Sequence, residues 1–139
     1  MRKYWFISLL FCGCMVFADN RMSFPDGYEN GVMYEQVKRG NVIEDIYTTQ
    51  AAIDAVKQGG KLPNGTIIVM EEYANKNGEK GNINRIIVME KSGRDWQFDS
   101  FDASHQLNRS ENPDRCHSCH KGSISGEDIV FTLDKMKAF

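Results

Sequence analysis

Thr66-Ile67-Ile68-Val69-Met70 and, further on, Ile83-Asn84-Arg85-Ile86-Ile87-Val88-Met89 are the stretches on which the fold turns. Both are short, rich in β-branched residues and bounded by turn formers, the pattern of a buried strand. Pro63-Asn64-Gly65 makes the turn ahead of the first. Between the two, residues 75–82 hold no apolar side chain and two glycines, a solvated connection, so the pair reads as a hairpin. Lys91-Ser92-Gly93-Arg94 then turns the chain into Trp96-Gln97-Phe98, with Phe101 beyond. Three successive strands joined by short connections predict an antiparallel meander rather than alternating βαβ units.

Working outward towards the N-terminus, Val42, Ile43, Ile46 and Tyr47 suit a strand over 42–48, entered through Arg39-Gly40-Asn41. Thr49 is placed to cap a helix over 50–58 that has Ala52, Ile53 and Val56 on one face and Gly59-Gly60 as its stop. Phe24-Pro25-Asp26-Gly27-Tyr28 reads as a turn leading into a helical turn around Glu29 to Tyr34. Towards the C-terminus, 102–115 is a polar loop. The tail from Glu127 to Phe139, with Ile129, Val130, Phe131 and Leu133, suits either a last strand or a closing helical segment. The expected class is therefore α+β, mainly an antiparallel sheet with a few short helices and a C-terminal attachment segment.

The 139 residues, 41% hydrophobic and 26% charged, fit one soluble domain. Arg2 and Lys3 ahead of an apolar stretch from Tyr4 to Phe17 read as a signal peptide over 1–18, with cleavage after Ala18, export to the periplasm and a domain over 19–139. An uncleaved anchor is the alternative, although a run of about 14 residues is short of the ~20 that span a bilayer. Lipid attachment at Cys14 is another. Removing Arg2 and Lys3 from the 17 basic residues leaves 15 against 19 acidic ones, a net charge of −4. Basic residues are spread along the chain, which excludes the footprint of a nucleic-acid binder.

Loss of the leader removes Cys12 and Cys14 and leaves Cys116 and Cys119 as the two mature cysteines. They stand in Cys116-His117-Ser118-Cys119-His120, the C-x-x-C-H sequence of covalent haem attachment. Two thiols at this spacing can add to the two vinyl groups on one edge of a porphyrin, and the histidine that follows can take the iron as proximal ligand. The expected cofactor is one covalently attached haem c, with His120 as axial ligand. A zinc site would need two further ligands from His117, His105 or His120, and a thioredoxin-like redox motif would open a helix in a βαβ setting. His117 is expected to face solvent. For the sixth position His105, Met33, Met70, Met89 and Met136 are all candidates, and Glu71 and Glu72 read as surface carboxylates at a strand end.

The order Leu62-Pro63-x-Gly65-Thr66, Trp96-x-Phe98-x-x-Phe101, C-x-x-C-H-Lys121 and Asp128-x-Val130-Phe131 resembles the cytochrome P-460 family, which includes the beta form of cytochrome c-prime. The resemblance runs from about Pro25 to Leu133. It implies a small periplasmic protein, largely antiparallel β and often dimeric, with a high-spin, five-coordinate haem. In the hydroxylamine-oxidising members a strand lysine is cross-linked to the porphyrin, and the matching position here is Met70, which has no amine. The resemblance therefore points to binding of nitric oxide or a related nitrogen-oxide ligand, with Met70, Phe98, Phe101 and Trp96 as candidate pocket residues. A six-coordinate electron-transfer cytochrome, serving an unidentified redox partner, is the alternative. Hydroxylamine oxidation comes after both.

Overall fold

A computed structural model describes residues 20–139, so the expected leader, with Cys12 and Cys14, lies outside the described residues. Five strands, β1 (Val32–Arg39), β2 (Val42–Thr48), β3 (Ile67–Lys76), β4 (Glu79–Ser92) and β5 (Asp95–Phe101), form one antiparallel sheet in the order β1-β2-β3-β4-β5. Helix α1 (Gln50–Lys57) bridges β2 and β3. After the sheet come α2 (Pro113–Ser123) and α3 (Leu133–Ala138). The expected α+β class and meander are both present, and the meander has five members rather than three.

The differences from the expectation have local causes. Where a helical turn was expected over 29–34, only Tyr28–Asn30 forms a 3-10 turn, and Val32 begins β1. Its alternation is hidden in the sequence because an irregularity between Met33 and Glu35 shifts the register against β2. The polar connection over 75–82 is mostly strand: β3 and β4 continue almost to Asn77 and Gly78, both of positive φ, as a two-residue hairpin loop demands. Polar side chains there mark a solvated tip, not a break in the ladder. The loop after β5 ends earlier than expected, because Asn112 caps α2 by accepting from the Asp114 amide at 2.9 Å and Pro113 takes the first helical position. The tail closes as a helix.

Each strand presents alternate residues to opposite faces, and both faces carry apolar rows. Ile46 stands opposite Met70 and Met70 opposite Ile87, while Ile68 faces Met89 and Met89 faces Phe98; these side chains share one face. There all but Ile87 join the larger core with Ala52, Ile53 and Val56 of α1 and Met136 of α3. Thr49 holds α1 in place as expected, its hydroxyl accepting from the Ala52 amide at 3.2 Å. The other face bears Val69, Ile86, Val88 and Phe101, covered by Met22, Phe24, Tyr28 and Leu107. Two satellite contacts from chain-distant segments thus keep a two-sided sheet dry.

Ile53 is fully buried in the larger core. Truncation to alanine leaves a cavity that its neighbours cannot fill, so Ile53→Ala should cost about 2–5 kcal/mol in urea unfolding, with the slope of the transition unchanged.

Candidate functional site

The larger face of the sheet is not covered everywhere by close packing. Between it and the segment formed by α2 and residues 130–132 lies a cavity of about 510 Å³. The sheet contributes Val37, Ile46, Ile68, Met70, Ile87, Met89 and Phe98, and the opposite side contributes Cys116, Cys119, His120, Val130, Phe131 and Thr132. Charge is confined to Arg39, Glu44 and Arg85. A concave, mostly apolar space with a few polar groups is the usual form of a cofactor site, and its size is in the usual range.

Helical periodicity explains how three candidate side chains reach it together. Cys116, Cys119 and His120 are related by i, i+3 and i+4, so they lie on one side of α2 and all three line the cavity. Burial, with the Glu111 carboxylate nearby, pushes the Cys116 thiol above its ordinary value. His120 is more constrained. Its Nδ1 lies 2.7 Å from the Ile129 carbonyl oxygen, and a carbonyl can only accept, so the proton resides on Nδ1 and Nε2 keeps its lone pair. Burial lowers the His120 pKa and favours the neutral, ligating form. Phe98 and Phe131 flank the ring at 4.9 and 4.6 Å between centroids.

These residues fit a haem. A flat apolar macrocycle suits the apolar sheet wall, two thiols on one side of a helix suit two vinyl groups, and an imidazole oriented through Nδ1 suits an axial ligand. The zinc alternative finds no support in the donor geometry: among the described residues no group of three or more His, Cys, Asp or Glu converges on one point.

The other expected site residues divide by strand parity. Met70 and Phe98 line the cavity. Phe101 does not, and the expectation that it walls the pocket is corrected: it follows Phe98 by an odd number of residues, so it points to the far face, where it packs edge-on to Phe24 at 5.2 Å. Trp96 shares the parity of Phe98 but is buried in the core beyond the cavity, its indole N–H donating to the Glu127 carbonyl at 3.1 Å. His105, with φ of 63°, stacks on Phe24 at 3.8 Å and belongs to the far side of the sheet, which removes it as a sixth ligand. Met33 is exposed, and Met136, on α3, is fully buried in the larger core. Met89 and Met70 alone of the candidate methionines reach the cavity.

Three further expectations change. His117 is half-buried rather than turned to solvent, its Nε2 lying 2.7 Å from Asp95 Oδ1, a contact that holds the Asp95 carboxyl below its ordinary range. Glu71 and Glu72 are buried, not superficial. Glu71 accepts from the Tyr28, Tyr73 and Tyr47 hydroxyls at 2.5, 2.6 and 3.3 Å on the far face, and Glu72 accepts from Arg85 at 3.1 Å. Arg85 also donates to Glu111 at 2.8 Å, tying the sheet to the segment that enters α2. Sequence reasoning missed Ile46, Ile68 and Ile87 as lining residues. Counting by twos from Met70 would have found Ile68.

A sequence model described as Cytochrome P460 matches residues 25–132, and no curated protein matches the chain.

Parity makes a paired prediction. Phe98→Ala and Phe101→Ala should each lower stability by about 3–5 kcal/mol in denaturant unfolding. Only Phe98→Ala should shift the main visible absorption band of the haem-loaded protein.

Proposed function

Because the chain belongs to the cytochrome P460 family, whose members are haem proteins, we propose that it is an exported mono-haem c-type cytochrome with an open sixth position that binds nitric oxide or a related small nitrogen-oxide molecule. The observation that carries this reading is the chemical character of the cavity wall. Ile46, Ile68, Met70, Ile87 and Met89 offer no hydrogen-bond donor, acid or base in the middle of the sheet face, and the charged groups are held in pairs, Arg39 with Glu44 and Arg85 with Glu72 and Glu111. Such a wall suits a neutral diatomic and gives little help to an anion or to a reaction that moves protons.

Each residue has a distinct part. Cys116 and Cys119 would hold the macrocycle through two thioethers. His120 would take the iron through Nε2, while Ile129 fixes the ring and raises its basicity through the bond to Nδ1. Phe98 packs against the imidazole from the core, and Phe131, itself exposed, packs against it from the outer side. The haem, when bound, supplies an iron with affinity for small π-acceptor molecules; the protein supplies axial ligation, polarity and access. In this reading the mature protein acts in the periplasm, and a redox partner and a second copy of the chain are its expected protein contacts.

The electron-carrier reading is favoured by one observation, the presence of the Met70 and Met89 thioethers in the cavity lining, since methionine is a common sixth ligand. Hydroxylamine oxidation through a lysine cross-link has no such support. Among the described residues no lysine lines the cavity.

Optical and magnetic spectra of the reduced protein separate these readings. The proposal expects a high-spin ferrous form whose spectrum shifts on addition of nitric oxide or carbon monoxide; a low-spin spectrum indifferent to both would establish a closed sixth position. Mass spectrometry of the haem peptide should find two thioether links, at Cys116 and Cys119, and no third bond to the porphyrin.

A further inference from the structure

Lys91 is the most deeply buried cation among the described residues, with a side chain only 2% exposed, and it lies outside the cavity. A lone ammonium in such a place would be expelled or neutralised. Here it is fully engaged: Nζ donates to the Leu62 carbonyl at 2.9 Å and to Asp128 Oδ1 at 2.6 Å, with Glu127 Oε1 at 3.1 Å. Burial works against its charge, but the bonds to Asp128 and Glu127 outweigh it and hold its pKa above the ordinary value. Asp128 is engaged on its other side too, Oδ2 accepting from the Leu62 amide at 2.9 Å. The Lys91 backbone is itself fixed, its amide donating to Thr66 and its carbonyl accepting from Gly65.

What this network holds is the segment after α2. That stretch has no regular secondary structure from Ser125 to Phe131, so no helix or ladder sets the direction of its carbonyls. Yet the residue next to Asp128 is Ile129, whose carbonyl accepts the His120 Nδ1 proton. Glu127, on the other side of Asp128, is tied by its carbonyl to the Trp96 indole and by its carboxylate to Lys61.

We propose that Lys91 and Asp128 are positioning residues for His120, anchoring the loop so that the Ile129 carbonyl is held in line with Nδ1. The inference rests on the reading of His120 as the iron ligand. A carbonyl fixed at this distance strengthens the donor character of the imidazole and so favours the ferric state; a loosened one weakens both. Lys91 thereby tunes the iron without touching the cofactor.

The test uses the haem-loaded protein. In Lys91→Met the iron–histidine stretching band of the ferrous form should move to lower frequency, and the ferric-to-ferrous ratio at a fixed potential should fall by about threefold to tenfold, the larger figure being about 59 mV for one electron. Asp128→Asn, which keeps the shape and the acceptor for Leu62, should do the same to a smaller extent and serves where Lys91→Met fails to fold. Ile53→Ala, which destabilises the core outside this network, should move neither quantity. Variants that lose thermal stability but keep the parent's band and potential would overturn the inference and leave the His120 assignment standing. A parent band that survives in His120→Ala would overturn that assignment as well.

Discussion

A strand shows every second side chain to the same face, and in this chain both faces are apolar, so the sheet must be covered twice. That requirement organises everything else. One face takes the N-terminal segment around Met22 to Tyr28 and the return at Leu107; the other takes α1, α3 and the stretch that follows α2. Where this second cover stands away from the sheet, the apolar row of Ile46, Met70 and Ile87 is left facing a cavity instead of a neighbour. The candidate cofactor site is thus the unfilled part of a core, with its polarity decided by strand pairing.

The helix bearing the two thiols and the histidine contributes no buried residue. Its position depends on polar ties: the Asn112 cap, Arg85 to Glu111 at its entry, Asp95 to His117 on its flank and Ile129 to His120 at its end. Apart from the local cap, each tie joins α2 or its entry to a different part of the chain. A helix held this way has little packing energy of its own, and a bound haem would add the apolar contact that the sheet face lacks. Cofactor and fold are therefore expected to stabilise one another.

Much of this was legible in the sequence. The β-branched runs after Gly65 and before Met89, the turn residues between them, and the cap at Thr49 specified the meander and its first helix through local rules that tertiary packing did not overrule. Cys116, Cys119 and His120 stood out as candidates because their spacing answers to the chemistry of one expected ligand. Less was readable where geometry depends on a partner strand. The register shift in β1 broke the alternation that would have revealed it, and the tip at Asn77-Gly78 looked like a loop because its flanks are solvated. Phe98 and Phe101 resembled one aromatic stripe, yet three residues along a strand is a change of face. Burial of Glu71, Glu72 and Lys91 was illegible for a different reason. Each is paired with residues distant in sequence, Tyr28, Arg85 and Asp128 among them, and polar pairs of that kind leave no local periodicity.

The central claim is that His120 takes one side of the iron while the apolar sheet face leaves the other side open. A crystal structure of the reduced, haem-loaded protein tests it most directly. The account predicts His120 Nε2 at bonding distance from the iron, thioethers at Cys116 and Cys119, and no protein atom coordinating from the side of Ile46, Met70 and Ile87. A Met70 or Met89 sulfur on the iron would contradict it.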